Sequence, residues 1–217
     1  MSEPLAFILD WERIKMIGLT SKIKSPEDYL INAAKGVAQA ERLLSKKREI
    51  VPSLATIREL HFALFKNIHP WAGDFRIEGQ EVRAGELLCT LSTDIISELT
   101  ELTNEMNLNP LTGTKKYRSE LLAFYHAAFL EVHPFLDGNG RLSRVIAAHQ
   151  SKELLSQALD FSKLEKSAYI NSLRAAQSEG ELKALITLFE THSINLSLNT
   201  KIKTNKQIRS LNHSKRL

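Results

Sequence analysis

The chain has 217 residues, 43% hydrophobic and 25% charged, enough to bury a core of its own and too polar for a protein that lives within a bilayer. No stretch approaches the roughly eighteen apolar residues of a membrane-spanning helix, and the opening MSEPLAFILDWERIK carries Glu3 where a signal peptide carries positive charge, so a cytoplasmic location is expected. The net charge of +4 sits at the end: Lys201, Lys203, Lys206, Arg209, Lys215 and Arg216 come with no acid, and the 23 basic against 25 acidic residues before them leave the body slightly acidic.

In chain order, Trp11 to Ile17 is the one helical pattern before residue 26. Ser25-Pro26-Glu27-Asp28 then reads as a helix start, with Ser25 as N-cap, Pro26 in the first position and acids in the first turn. Tyr29, Leu30, Ala33, Ala34, Val37, Ala40, Leu43 and Leu44 form its apolar face to about Lys46, with Gly36 a small weakness in propensity. Pro52-Ser53 opens a further helix, whose inward stripe is Leu54, Ile57, Leu60, His61, Leu64 and Phe65, ending near Ile68 because Pro70 follows. His61, His69 and Trp71 are expected to be packing residues. From Phe75 to Glu86 the pattern turns to Arg, Glu and Gly, and Ile77 and Val82 predict two short strands about Glu78-Gly79-Gln80-Glu81. Cys89, the single cysteine, lies in an apolar run; it excludes an intramolecular disulfide or a zinc cluster and is expected to be buried. Thr90 to Met106, Tyr117 to Val132, Arg141 to Gln150, Lys163 to Ser178 and Glu181 to Leu198 read as helices, the last two separated at Gly180. The expected fold is an all-α bundle carrying one β-hairpin, divided into an extension and packing helix at 1–51, a main domain at 52–190, and a helix end with the basic tail at 191–217. Such a tail can bind nucleic acid, but it is ordinarily solvated, and nucleic acid is not an expected partner.

The chemistry is concentrated between two of these helices, in His133-Pro134-Phe135-Leu136-Asp137-Gly138-Asn139-Gly140-Arg141, with Arg144 one turn on. Pro134 bars the αR conformation at His133 and ends the first helix. Gly138 and Gly140 allow close approach to a backbone whose N–H groups begin the second helix, which makes the corner a place for an anion. Arg141 and Arg144, three apart, project to one side and can fork onto phosphate oxygens. Asp137 is a hard oxygen ligand for a magnesium ion shared with phosphates. Asn139 can donate an amide hydrogen bond, and His133, titrating near neutrality, can take a proton from an attacking hydroxyl. Singly, each residue has a structural explanation; together they supply base, metal ligand, anion cradle and cationic clamp.

The segment HPFLDGNGRLSR resembles the signature of Fic-domain proteins, His-x-Phe-x-Asp/Glu-Gly-Asn-Gly-Arg-x-x-Arg, at every specified position, and His69-Pro70-Trp71-Ala72-Gly73-Asp74-Phe75-Arg76 resembles the Trp-Ala-Gly-x-x-Arg segment upstream in that family. The resemblance covers roughly Pro52 to Glu190. It implies a Fic-type bundle and transfer of AMP from ATP, with magnesium, to a Ser, Thr or Tyr hydroxyl of a target protein. His133 would be the base, Asp137 the magnesium ligand, and Gly138, Asn139, Gly140, Arg141 and Arg144 the phosphate site, with Arg144 on the γ-phosphate. The hairpin Ile77, Glu78, Gly79, Gln80, Glu81 and Val82 would be the flap that adds a target segment as a strand. Gly140 and Arg141 agree with the nucleotide-transferring branch, since Doc-type relatives, which phosphorylate, carry Lys at the position of Gly140.

Transfer of UMP, phosphocholine or phosphate stays open at this level, as does a non-catalytic interaction module with a basic tail. The inhibitory helix Ser/Thr-x-x-x-Glu-Gly/Asn of many Fic proteins is not found: Glu179-Gly180 comes nearest, but Ala175 stands four residues before Glu179. That points to the toxin-like subclass restrained by a separate small antitoxin. Family analogy suggests type II topoisomerase subunits as targets; no membrane partner is expected.

Overall fold

The computed structural model describes residues 10–84, 87–108 and 113–196. The start of the chain and the basic tail lie outside the described residues. Among the described residues the chain forms α1 (Trp11–Met16), α2 (Pro26–Lys47), α3 (Leu54–Phe65), β1 (Arg83–Ala84), β2 (Leu87–Leu88), α4 (Ile95–Leu108), α5 (Lys115–Val132), α6 (Asn139–Leu155), β3 (Gln157–Leu159), α7 (Lys166–Glu179), α8 (Lys183–Thr191) and β4 (Ser193–Asn195). None of these helices is long and apolar enough to cross a membrane.

Helix ends follow local chemistry. The Ser25 side chain caps α2 by accepting from Asp28 N–H, Ser53 caps α3 through Thr56 N–H, and Thr114 caps α5 through Tyr117 N–H. Gly180, in the left-handed region at φ 67°, ends α7 as expected. α3 stops at Phe65, earlier than the sequence suggested, because Ile68 and His69 N–H both turn back to the Phe65 carbonyl ahead of Pro70. α4 begins after a 3-10 turn at Ser92–Asp94 rather than at Thr90.

Helices α5 and α6 are buried on two sides, which is what places the motif at the centre. Tyr125, Phe129, Val132, Leu142, Val145 and Ile146 belong to one core with α2, α3 and α4. Leu122, Ala123, Ala127, Leu130 and Ala147 face a second core with α7 and α8, around Tyr169, Leu173, Leu185 and Phe189. Helix α2 lies so close to α3 that a Cβ on Gly36 would collide with the Leu64 carbonyl. The residue that weakens helix propensity by about 1 kcal/mol is thus the one that admits the crossing.

Two strand expectations are corrected. Residues 77–80 close into a turn, with Gln80 N–H bonded to the Ile77 carbonyl at 2.9 Å and the Gln80 side chain accepting from Ile77 N–H at 3.0 Å. Ile77, Glu78, Gly79, Gln80 and Glu81 therefore do not form the hairpin, and Val82 joins it only through its carbonyl. Pairing starts beyond them, Arg83 opposite Leu88 and Ala84 opposite Leu87, with Cys89 N–H extending it to the Val82 carbonyl. Helix α8 ends at Thr191, short of the expected Leu198: Ser193–Asn195 pairs antiparallel with Gln157–Leu159. The His192 carbonyl accepts from Asp160 N–H, so the chain leaves the helix to close that sheet. Cys89 is buried, as read from its apolar run.

Candidate active site

The corner between α5 and α6 is held by its own residues before any ligand is considered. His133 caps α5 in the left-handed region, φ 50° and ψ 57°, and Pro134 after it bars the αR conformation that would continue the helix. Phe135 is fully buried, its ring stacked on His61 at 3.7 Å between centroids and 6° between planes. The Asn139 side chain clasps the loop, Oδ1 accepting from Phe135 N–H at 3.0 Å and Nδ2 donating to the Phe135 carbonyl at 2.7 Å. This corrects the expectation that the Asn139 amide faces a ligand; what remains of Asn139 for an anion is its backbone N–H. Gly138 precedes it at φ 83°, and a Cβ there would also strike the Phe65 ring. Both conformation and space thus require glycine at the mouth of α6. The helix begins at Asn139, two residues earlier than the sequence pattern suggested, so the N–H groups of Asn139, Gly140 and Arg141 form its first turn, and Leu142 N–H is the first to bond back, to the Gly138 carbonyl.

His133 Nδ1 lies 3.0 Å from the Leu130 carbonyl. A carbonyl only accepts, so Nδ1 carries the proton and the neutral ring keeps its lone pair on Nε2. Burial holds its pKa below the ordinary imidazole value, with Arg76 adding to the effect and the Leu130 contact opposing it.

Asp137 is surrounded by partners from distant parts of the chain. Its Oδ2 accepts from Arg141 at 2.8 Å and from the Tyr29 hydroxyl of α2 at 3.3 Å, and faces His69 Nε2 at 3.7 Å. Burial alone would raise the Asp137 pKa, but His69 and Arg141 together bring it well below the usual carboxylate range. Arg141 also bonds the Tyr29 hydroxyl oxygen and lies over the Phe65 ring, its guanidinium carbon 4.5 Å from the centroid. Burial pushes the Tyr29 hydroxyl up to about 12. His69 is anchored by Nδ1 donating to the Gly18 carbonyl at 2.7 Å. His61 accepts on Nδ1 from Gly73 N–H at 2.9 Å, so its Nε2–H donates to the Asp137 carbonyl at 3.1 Å; burial pushes its pKa down to about 3. Both histidines are core residues, as their sequence positions suggested, yet both border Asp137: His61 holds its backbone carbonyl and His69 faces its carboxylate.

Arg144 extends from the second turn of α6 back beneath the first, where a Cβ on Gly140 would come within 3.3 Å of its Nη1. Its guanidinium is hydrogen-bonded to the Tyr169 hydroxyl of α7. Arg141 and Arg144 thus share the N-terminal end of α6 with the first-turn N–H groups.

Arg76 is the largest omission of the sequence reading, which gave it no role beyond ending the Trp-Ala-Gly segment. It is 3% exposed and caps the end of α5: Nε donates to the His133 carbonyl at 2.8 Å and Nη2 to Val132 at 3.2 Å. The same group reaches the Thr90 carbonyl at 2.8 Å, the Gln80 carbonyl at 3.1 Å and Glu81 at 3.3 Å, while Arg76 N–H donates to the Pro134 carbonyl at 2.9 Å. One side chain ties the motif loop to the 77–90 segment. Tyr29 was missed as well, being 108 residues from Asp137, with no sequence signal beyond its place on an apolar face. Among the described residues no group of three or more His, Cys, Asp or Glu side chains is arranged to hold a metal. Asp137 stands as a single, firmly ionised oxygen donor.

Residues 52–151 match a family model described as the Fic/DOC family. The chain is 26% identical over 188 residues to a Bartonella henselae protein named protein adenylyltransferase; the match takes in 77% of this chain and 34% of that one, so the chain spans about a third of that relative's length. It is 31% identical over 125 residues to a Fido domain-containing protein of Dictyostelium discoideum, covering 53% of this chain and 84% of the other. The N-terminal Fic domain of a VirB-translocated effector of Bartonella quintana has the same fold, with a TM-score of 0.68 at 21% identity over 86% of this chain and 92% of that one. BepC of Bartonella tribocorum, solved with bound AMPPNP, matches with a TM-score of 0.65 at 21% identity, covering 82% and 91%.

Proposed function

The chain belongs to the Fic/DOC family, and from that premise we propose that it is a protein adenylyltransferase, moving AMP from ATP to a hydroxyl side chain of another protein. The observation that carries the reading is the joining of an Nε2 lone pair on His133 to a helix N-terminus with a glycine mouth and two arginines. His133 takes the proton of the target Ser, Thr or Tyr hydroxyl, the oxygen bonds to the α-phosphorus, and the bond to the β-phosphate oxygen breaks to release pyrophosphate. The N–H groups of Asn139, Gly140 and Arg141 hold phosphate oxygens at the start of α6. Arg141 exchanges Asp137 for the leaving phosphates, and Arg144 holds the γ-phosphate, which sets the direction of the nucleotide.

Asp137 suits magnesium: it is one hard, ionised oxygen beside the phosphate site, and magnesium takes one or two carboxylates and completes its shell with phosphates and water. Magnesium bound there supplies charge neutralisation on the phosphates. The strand edge at β1 and β2, next to the exposed Leu88, replaces the 77–82 stretch as the place where a target segment would add. AMPPNP in the BepC structure supports an adenine nucleotide as donor.

The test is transfer from ATP labelled at the α or the γ position into a cell lysate, with magnesium or with chelator. Label from the α position on a discrete protein band, lost with chelator, is the expected result. Label from the γ position alone would mean phosphorylation and overturn the reading. The missing Ser/Thr-x-x-x-Glu-Gly/Asn helix supports restraint by a separate small protein. A small protein that co-purifies with the wild type and is lost from Arg144→Ala is the expected sign; purification alone at full activity would remove that part.

A further inference from the structure

Arg144 does not end in the motif: its guanidinium bonds a tyrosine from α7, outside residues 52–151 of the family match, and that tyrosine bonds a histidine inside the second core. Tyr169 is 3% exposed and His126 is 1% exposed, with Tyr169 Oη 2.7 Å from His126 Nε2. The rings leave each other little room to move. His126 stacks on Phe161 at 5.7 Å and meets Phe189 edge-on at 5.3 Å, and Tyr169 meets Phe161 edge-on at 6.2 Å.

Donor and acceptor chemistry orders the protons between Arg144, Tyr169 and His126. Arg144 has only donors, so Tyr169 Oη accepts from it; the hydroxyl proton then needs an acceptor, which neutral His126 offers at Nε2. Burial keeps both groups in the required forms, pushing His126 down to about 3 and Tyr169 up to about 12. The relay runs in one direction, from guanidinium to hydroxyl to imidazole.

We propose that Tyr169, oriented by His126, is a positioning residue that aims the Arg144 guanidinium at the terminal phosphate of the nucleotide. An arginine side chain alone samples many rotamers. Held by Tyr169 on one side and packed beneath Gly140 on the other, the guanidinium loses little further freedom when a nucleotide arrives, and nucleoside triphosphate is preferred over diphosphate. The proposal rests on Arg144 as the γ-phosphate contact.

The experiment is calorimetric binding of magnesium ATP and magnesium ADP to the full chain as wild type, Tyr169→Phe, Arg144→Ala and the double variant, with melting temperatures alongside. Arg144→Ala is expected to remove most of the preference for ATP. Tyr169→Phe lowers it about tenfold, the usual worth of a hydrogen bond to a charged group, and the double variant discriminates no worse than Arg144→Ala. A wild-type preference in Tyr169→Phe beside a lost preference in Arg144→Ala overturns the positioning role. Additive losses in the double variant overturn it too, since Tyr169 would then act apart from Arg144. Unchanged preference in Arg144→Ala overturns the γ-phosphate assignment itself, and the proposal with it. Should Tyr169→Phe fail to fold, His126→Leu removes only the acceptor of the hydroxyl proton; it is expected to lower the preference about threefold, and a wild-type value there counts against the relay.

Discussion

His133→Ala is expected to lower AMP transfer by about 10² to 10⁴-fold, the usual worth of a positioned general base, while ATP affinity stays close to wild type. The separation follows from where the groups sit: the base is an Nε2 lone pair on the cap of α5, and the phosphate donors belong to the first turns of α6. Alanine brings one complication, because position 133 has φ 50° and ψ 57°, a region that histidine and asparagine enter more readily than alanine does. His133→Asn resolves it, since asparagine enters the left-handed region readily and still lacks the base. Transfer lost in both variants with ATP binding and melting preserved fits a base; binding and melting lost in both would make His133 a structural cap. The pH profile adds an independent reading. Burial lowers the His133 pKa, and the neutral form is the one that acts, so transfer is flat through neutrality and falls only on the acid side, below the ordinary imidazole range. A fall centred above that range would sink the assignment.

Much of this was legible in the chain because it is local. Ser25-Pro26, Ser53 and Gly180 each act within a turn of their own position, and the glycines and arginines of residues 138–144 follow directly on a proline-ended helix. What could not be read needs partners far apart in sequence. The hairpin slipped by several residues because Arg76 and the Gln80 side chain tie residues 77–81 into a turn, and strands of two residues show no alternation to read. The C-terminal strand read as helix because nothing in the local sequence stops α8 before it, while the reason to leave the helix is the edge at Gln157–Leu159. Asn139 reads as a ligand donor in a motif of ligand donors; only the folded loop reveals that its amide closes on Phe135. Tyr29 and Tyr169 lie on ordinary apolar faces, and a hydroxyl at the end of a buried ring gives no periodic signal.

Arg76→Met should be the most destabilising single change outside the motif. The methylene stem would still fill much of the space, so the loss isolates the guanidinium. Without it the carbonyls of Val132, His133, Thr90 and Gln80 lose their donor at once. A buried polar group left without a partner costs about 1–3 kcal/mol, and several share one donor here, so a total of about 3–5 kcal/mol is expected, the range for breaking a buried charged network. At roughly 2–4 °C per kcal/mol for a chain of this size, melting falls by about 6–20 °C. Arg76→Lys keeps the charge but replaces a planar fork by one ammonium, which can serve some of these carbonyls and not all; it should lie between wild type and Arg76→Met. Glu81 does not explain the loss, because it is partly exposed and keeps its bonds to Ser92. The consequence reaches the site, since the His133 carbonyl is held by the same group that closes the turn at 77–80. Melting and transfer are therefore expected to fall together in Arg76→Met, in contrast to His133→Asn, where transfer falls alone. A melting temperature within a few degrees of wild type would mean that water reaches these carbonyls once the guanidinium is gone, and that α5 is capped well enough without Arg76.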